Sequence, residues 1–287
     1  MPKRFGIIHC YDTSKWWPIG SEVWKKALQN TQDDEEWIIY DLPGKGELPK
    51  HEDNLDAVVI TGSARGAYED LPWIRTLSTW IQEQFQTYIK NEEKFNQYCL
   101  PIVGGCFGAQ MIGHALGGVV KPQGFYILRA EEIQLAKEYF QLPWVSKQNV
   151  NTSPETLSSS SSSLASNSTG SQALPSSSTS ANSNIVRLIE SHGDCVAVLP
   201  SNGKVLGSSR SCQHELFLVG NCLGIQSHPE FDTENIVYPL IWPSAIGIGV
   251  ECPRLSAEEA ETSKYTFSLP RDELRILHSI KQFMLSK

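Results

Sequence analysis

The sequence of 287 residues lacks the long apolar and basic segments that mark several large classes of protein. It contains no run of about 18 apolar residues, the length that a membrane-spanning helix requires, so we expect no membrane span. Its amino-terminal apolar run is too short for a secretory signal. Lysine and arginine form no cluster, and the formal net charge is −8. Because an acidic surface repels phosphate backbones, we do not expect nucleic-acid binding.

Paired cysteines are also missing. The chain has 7 scattered cysteines and no Cys-x-x-Cys pair. This pattern predicts neither a disulfide framework nor a structural zinc site, and it favours free thiols in a reducing compartment. With no signal in view, we expect a cytosolic protein.

Short apolar runs alternate with helix-like patterns in the first half of the chain. The runs are RFGIIHCYD (4–12), EWIIYDL (36–42), DAVVITGS (56–63) and LPIVGGC (100–106). Helical patterns cover 21–30 and 71–91. This alternation is typical of a parallel sheet with helices on both faces.

The second half has short apolar runs between 185 and 231, separated by Gly and Asn turns, which indicate antiparallel strands. An amphipathic pattern over 271–287, with Leu274 and Leu277 on its apolar stripe, predicts a closing helix. We therefore predict an α/β fold: a mostly parallel, flavodoxin-like sheet with helices on both faces and a small antiparallel extension.

A Ser-rich segment separates the two halves. Residues 149–184 contain almost no large apolar or charged side chains, so they cannot bury enough surface to offset their ordering entropy. We predict a flexible, disordered insertion there and a second insertion at about 243–270, within one domain that spans 1–287.

A glycine-framed cysteine follows the fourth apolar run. The pattern Gly104-x-Cys106-x-Gly108 has the spacing of a nucleophile elbow, with Cys in place of Ser. On such a corner the following helix directs its amino terminus at the sulfur and favours the thiolate. The amide of Phe107 would then donate to an oxyanion. The plainer alternative is a buried thiol in a turn that tolerates glycine.

Two further motifs supply what a thiol nucleophile needs. In His228-Pro229-Glu230, residues two apart on an extended chain face the same side, so Glu230 can orient His228 as a base. A surface histidine beside a solvated carboxylate is the plainer alternative. After the third run, the Gly62 amide is a candidate second oxyanion donor, or part of an ordinary strand-to-helix turn. His192, in Ser-His-Gly-Asp, is a rival base, but a predicted turn there favours backbone recognition.

The motifs occur in a fixed order: a Gly-rich turn, G-x-C-x-G-x-Q, S-H-G-D and H-P-E. In this they resemble the class I, triad-type glutamine amidotransferases, and most closely the stand-alone GMP-synthase-like group that includes the γ-glutamyl peptidases. The resemblance implies that Cys106 attacks a γ-glutamyl amide while the amides of Phe107 and Gly62 hold the oxyanion. It also implies that His228, oriented by Glu230, transfers the protons.

By the same resemblance, Gln110, Ser191 and His192 contact the α-amino and α-carboxylate groups of the glutamyl moiety, and no metal or organic cofactor is needed. Gly105 departs from the family, which usually has Ile, Val or Leu before the nucleophile. We expect this glycine to loosen the packing under the elbow.

Three functions remain open at this stage. A self-sufficient hydrolase of small γ-glutamyl substrates is favoured, because the chain has no G-x-x-x-x-G-K-[ST] loop for a synthase half. The first alternative is a glutaminase subunit that passes ammonia to a synthase partner. The second is an inactive regulatory protein on the same fold. An esterase-like protein is disfavoured, because Glu230 follows His228 instead of preceding it.

Overall fold

The computed structural model describes residues 2–93, 99–146 and 184–286. The Ser-rich segment predicted to be disordered therefore lies outside the described residues, apart from Asn184. Among the described residues, no helix combines the length and apolar character needed to cross a membrane.

The described residues form a 9-stranded sheet in the order β2-β1-β3-β4-β9-β8-β7-β5-β6. The strands are β1 (Lys3–His9), β2 (Glu35–Asp41), β3 (Ala57–Ile60), β4 (Ile102–Gly105), β5 (Val119–Leu135), β6 (Ile185–Val198), β7 (Lys204–Ser209), β8 (Leu216–Val219) and β9 (Cys222–Ile225). Neighbours from β2 through β9 are parallel, and the remaining pairs are antiparallel. This confirms the α/β prediction.

Helices cover both faces of the parallel part. The helices are α1 (Ile19–Leu28), α2 (Leu42–Lys45), α3 (Pro72–Glu93), α4 (Phe107–Ala115), α5 (Lys137–Phe140), α6 (Pro143–Ser146), α7 (Trp242–Ala245), α8 (Ala257–Phe267) and α9 (Glu273–Leu285), together with a π-helix, Thr233–Ile241. Apolar side chains of α3 and α4 pack on one face, and those of α1 and α9 pack on the other. Burial of these two clusters is the main source of stability.

Three details differ from the sequence-based expectations. Strand β9 is antiparallel to β8 but parallel to β4, so it belongs to both parts of the sheet. The extension contains the two longest strands, β5 and β6, and β5 was not predicted. Leu274 is 80% exposed and does not share the apolar stripe of α9.

The segment 243–270 packs against the rest of the protein. It includes helix α8, whose Ser256 caps the first turn by accepting from the Glu259 amide at 3.2 Å. Leu255 and Phe267 are buried in a cluster with Leu128 and Ile189, which lie on β5 and β6. This segment therefore forms part of the wall beside the extension.

Parallel strands place their carboxyl ends at one edge of the sheet, where ligands bind in open α/β folds. The chain leaves β3 toward Gly62, β4 toward Cys106 and β9 toward His228. The topology therefore brings three motifs that are far apart in sequence to one edge.

Candidate active site

Cys106 lies on a strained corner between β4 and α4. Its backbone has φ 51° and ψ −106°, a region that residues with a side chain rarely adopt. A Cβ at Gly104 would lie 2.4 Å from the Gly108 carbonyl carbon, and one at Gly108 would lie 2.3 Å from the Ile60 oxygen. Glycine is required at both positions because strand and helix touch there. Such strain persists only where the surrounding structure enforces it, and it is concentrated at functional sites.

The thiol of Cys106 is held at the start of α4. The Cys106 amide donates to the Ile225 carbonyl at 2.7 Å, which ties the corner to β9. Helix α4 starts at Phe107, so its amide is at the helix amino terminus, beside the sulfur. The Sγ atom lies 3.9 Å from the Ser191 carbonyl oxygen on β6. The nucleophile candidate is thus bordered by three separate strands.

His228 and Glu230 form a buried pair. Nδ1 of His228 donates to Oε1 of Glu230 at 2.8 Å, and both side chains are almost fully buried. The imidazole stacks on Phe231 with centroids 4.0 Å apart, and the His228 amide donates to the Ile189 carbonyl at 2.8 Å. The ring is therefore fixed by an ion pair, a stacked ring and a backbone hydrogen bond.

The pKa of His228 is set by opposing effects. Burial disfavours the charged imidazolium, but the negative charges of Glu230 and of an ionised Cys106 outweigh burial and raise the pKa of His228 well above its ordinary value. This direction favours the charged form of the His228 imidazole.

Gly62 borders the same site. A Cβ added there would lie 2.5 Å from the Tyr11 hydroxyl and 3.5 Å from Cε1 of His228. Tyr11 follows β1, and its ring stacks on Trp16, which stacks in turn on Phe231. Sequence reasoning missed this aromatic stack. Its only local signal is that Tyr11 and Phe231 follow strand ends.

The predicted substrate-binding residues Gln110, Ser191 and His192 lie beside the two catalytic candidates. Nε2 of Gln110 donates to the Asp194 carbonyl at 3.0 Å, and the Ser191 hydroxyl is 2.8 Å from the Tyr126 hydroxyl. The predicted turn at Ser-His-Gly-Asp is wrong, because these residues lie within β6, where His192 pairs with Ile127 of β5. Because β6 pairs with β5, the backbone of this segment is hydrogen-bonded within the sheet and not within a turn.

The side chain of His192, the alternative base, is buried and is hydrogen-bonded within β6. Its Nδ1 donates to the Asp194 carbonyl at 3.0 Å, and its Nε2 lies 3.3 Å from Oε2 of Glu190. Burial lowers the pKa of His192. Within the described ranges, His192, Glu190 and Glu215 bring one potential ligand atom each within 4.8 Å, so they could hold a metal ion by atom type. Burial raises the pKa of both carboxyls.

Cys106 and His228 line a cavity of about 560 Å³, which is in the range for a small-molecule site. Trp16, Phe231 and Tyr126 contribute aromatic walls. Arg254, from the segment 243–270, lies over the Tyr126 ring at 5.0 Å and brings a positive charge to the cavity. No sequence pattern pointed to Arg254, because its position depends on a long-range contact.

Gly105 does not loosen the packing under the elbow, contrary to expectation. A Cβ at this position would lie 2.3 Å from Cζ2 of the buried Trp24. The indole thus occupies the space that a larger residue at 105 would fill, and the small and large side chains are complementary.

Gly105→Val is expected to lower the free energy of unfolding by about 1–3 kcal/mol, because it overpacks this contact. Urea denaturation measures the loss. The double variant Gly105→Val/Trp24→Ala should lose less than the sum of the two single variants, since removing the indole makes room for valine. Strict additivity would contradict the assigned contact.

Comparisons with known proteins show what this chain is similar to. The family model for class-I glutamine amidotransferases matches residues 47–236. A glutamine amidotransferase-like protein of Schizosaccharomyces pombe is 24% identical over 202 residues, which cover 68% of this chain and 59% of that protein. Gamma-glutamyl peptidase 4 of Arabidopsis thaliana is 27% identical over 225 residues, which cover 77% of this chain and 70% of that protein.

Solved structures extend the likeness of the fold to nearly the whole chain. A glutamine amidotransferase from Methylobacillus flagellatus has a TM-score of 0.59 at 13% identity, with 99% of this chain and 94% of that chain covered. One from Thermotoga maritima has a TM-score of 0.58 at 17% identity, with 99% of both chains covered. Since the family model matches well over half of the sequence, this chain belongs to the class-I glutamine amidotransferase family.

Proposed function

We propose that the chain hydrolyses γ-glutamyl amide bonds through a γ-glutamyl thioester on Cys106. The observation that carries this proposal is that one cavity is lined both by a cysteine on a strained strand-to-helix corner and by His228, which is bonded to the buried Glu230. Nucleophile, base and orienting carboxylate are the parts that nucleophilic catalysis requires.

In the first half of the reaction, His228 takes the Cys106 proton and Sγ attacks the amide carbon. The carbonyl oxygen becomes an oxyanion, for which the amides of Phe107 and Gly62 are the donors. The imidazolium then protonates the amide nitrogen, and the C–N bond breaks to release the amine and leave the thioester. Glu230 stabilises the charged imidazole throughout.

In the second half, His228 removes a proton from water, whose oxygen attacks the thioester carbon. The C–S bond breaks, glutamate leaves, and the sulfur recovers a proton from the imidazolium. Every proton thus passes through His228, so the ring must stay fixed; its stacking on Phe231 and its bond to Glu230 support that requirement.

Gln110 and Ser191 are proposed to hold the α-amino and α-carboxylate groups of the glutamyl moiety. Both lie on the cavity wall, and Ser191 approaches Cys106 through its carbonyl oxygen. His192 would contribute its backbone, because its side chain is buried and its Nδ1 is bonded to the Asp194 carbonyl. The size of the cavity and the named peptidases among the relatives favour a γ-glutamyl peptide over glutamine alone.

A glutaminase subunit is the second candidate, favoured by the family's name. It would use the same thioester chemistry but deliver the released ammonia to a separate synthase. The two candidates differ in the leaving group and in the need for a partner.

The substrate panel that separates them contains glutamine, a γ-glutamyl dipeptide, glutathione and a glutathione S-conjugate. We expect glutamate release from the peptides to exceed that from glutamine, measured by mass spectrometry beside a Cys106→Ala control. Release mainly from glutamine would favour the amidotransferase subunit. The absence of any Cys106-dependent product would contradict the self-sufficient hydrolase and leave the inactive or partner-dependent protein.

A further inference from the structure

Three ionisable side chains converge within the antiparallel extension. Glu190 and His192 are two residues apart on β6, so their side chains lie on the same face of the sheet, and Glu215 directly precedes β8. Each contributes one nitrogen or oxygen atom to a group in which all three atoms lie within 4.8 Å of one another. Glu190 and Glu215 are fully buried, and His192 is only 4% exposed. The proposed hydrolysis uses none of these three side chains.

The converging atoms are acceptors without a hydrogen-bond partner. His192 donates from Nδ1 to the Asp194 carbonyl at 3.0 Å, so the proton of the neutral ring is on Nδ1 and a lone pair is left at Nε2. This Nε2 atom lies 3.3 Å from Oε2 of Glu190, yet neither atom forms a hydrogen bond with any described residue. Oε2 of Glu215 also has no partner among the described residues. Because lone pairs that face one another repel, the cluster requires a cation between them, either protons or a metal ion.

Neighbouring groups hold the outer atoms of the same side chains. Oε1 of Glu215 accepts from the Ser209 hydroxyl at 2.6 Å, so its Oε2 is the oxygen that is left for a further ligand. The bond from Nδ1 of His192 to a backbone carbonyl has the same effect on Nε2. Histidines and carboxylates that bind metals usually make such outer hydrogen bonds, which fix the tautomer and orient the ligand atom. The cluster therefore has the outer contacts of a metal site as well as the ligand atoms.

The charges around the cluster match a divalent cation. Glu131 is connected to Glu215 through a chain of two serine hydroxyls. Arg129, which is opposite Glu190 in the register of β5 and β6, forms an ion pair with Glu131. When ionised, these three carboxylates and one guanidinium leave two negative charges. One divalent cation would neutralise them, as buried charges require.

We propose that Glu190, His192 and Glu215 bind a divalent transition-metal ion of the zinc class, through one oxygen of each carboxylate and Nε2 of the imidazole. Nitrogen and oxygen ligands of these types suit zinc. Ligands about 2.0–2.2 Å from a tetrahedral ion lie about 3.3–3.6 Å from one another, and the distance from Nε2 of His192 to Oε2 of Glu190 is 3.3 Å. A water molecule would complete the tetrahedron. His192 also lines the cavity, which gives the ion a route from solvent.

The ion would stabilise one wall of the cavity without taking part in the hydrolysis. The Asp194 carbonyl accepts from His192 and also from Gln110, a proposed substrate-binding residue. Fixing His192 therefore fixes the part of β6 that positions Gln110. Because β6 and β8 are not neighbours in the sheet, the ion would also connect two separated strands through Glu215. The inference does not depend on the proposed hydrolase activity.

The test measures zinc binding by the full chain in a Cys106→Ala background, because Cys106 and His228 are themselves potential zinc ligands. The protein is treated with a chelator, dialysed against buffered zinc and analysed by mass spectrometry of the metal. Glu190→Gln and Glu215→Gln keep the shape of the side chain but remove its charge, and each should weaken the binding of one zinc ion per chain by at least about 10²-fold. Glu132→Gln is the matched control, because Glu132 is exposed on β5 and should leave binding unchanged.

Thermal unfolding and cobalt spectra distinguish this site from zinc bound by other groups. Zinc at about 100 times its Kd should raise the Tm of the Cys106→Ala chain by about 5 °C, and should leave the Tm of both glutamine variants unchanged. Their cooperative unfolding without zinc shows that the variants are folded. Cobalt(II) in place of zinc should show d–d absorption without a thiolate charge-transfer band, because all three ligand atoms are nitrogen or oxygen. A chain that binds no zinc, equal binding by the glutamine variants, or a thiolate band would overturn the proposal and leave protons as the cations of the cluster.

Discussion

Replacing Cys106 with alanine should reduce the hydrolysis of the best γ-glutamyl substrate by at least about 10³-fold, since no thioester can form without the sulfur. Cys106→Ser should be nearly as inactive, because a hydroxyl is a far weaker nucleophile than a thiolate in the same position. Glutamate release under saturating substrate measures the loss. Cys252→Ala is the matched control: that thiol is exposed in the segment 243–270 and should leave the rate unchanged.

The same position offers a test of strain that does not depend on activity. With φ at 51°, an alanine at 106 keeps the unfavourable backbone conformation, whereas a glycine accepts it. Cys106→Gly should therefore be more stable than Cys106→Ala by about 1 kcal/mol, the reverse of their order in an ordinary helix. Urea denaturation of both variants measures the difference. An alanine variant that is the more stable of the two, or one that keeps its activity, would contradict the assignment of Cys106 as a strained nucleophile.

Local sequence patterns predicted the parallel half of the fold because its strands are short, continuously apolar and separated by amphipathic helices. Helix α3 begins at Pro72, close to the predicted start at 71, since proline suits the first turn. The direction of β9 could not be predicted in this way. It depends on pairing with β4, more than 100 residues earlier in the chain, and a four-residue apolar run has the same pattern in either direction.

The glycines around Cys106 show what a motif can and cannot predict. Gly104 and Gly108 were expected from the elbow spacing, and the backbone contacts explain them. Gly105 was expected to weaken the packing under the elbow, because the sequence around it gives no sign of its contact partner. That partner, Trp24, lies on α1, far from β4 in sequence. The predicted pairing of His228 and Glu230 rests on the two-residue period of extended backbone, and their 2.8 Å contact agrees with it.

The buried polar residues on β6 were the least predictable part of the site. At Ser-His-Gly-Asp, only the pairing with β5 distinguishes a strand interior from a turn. The Gly-Asp dipeptide is typical of turns, so the sequence pointed to a turn instead of a paired strand. Composition and periodicity do not encode tertiary pairing of this kind, so the candidate catalytic motifs could be predicted from the sequence whereas their surroundings could not.

Glu230→Gln should lower kcat/KM by about 10²–10⁴-fold, the range that positioned acid–base catalysis contributes. The amide keeps the shape of the side chain but loses the charge that stabilises the imidazolium. The substitution therefore acts on the protonation of His228 more than on packing. Glu234→Gln is the control, because Glu234 is exposed four residues further along and should leave kcat/KM unchanged.

The pH profile separates this electrostatic role from a structural one. In the wild type, the negative charge of Glu230 helps to raise the pKa of His228, so the imidazolium persists to a higher pH than for an ordinary histidine. Without that charge the pKa of His228 must fall, and the alkaline limb of kcat/KM should move to lower pH while the variant stays folded in thermal unfolding. A loss of rate with the alkaline limb unmoved would mean that Glu230 only holds the ring in place. An unchanged rate would remove Glu230 from the proposed triad, and the raised pKa of His228 would then need another cause within the cavity.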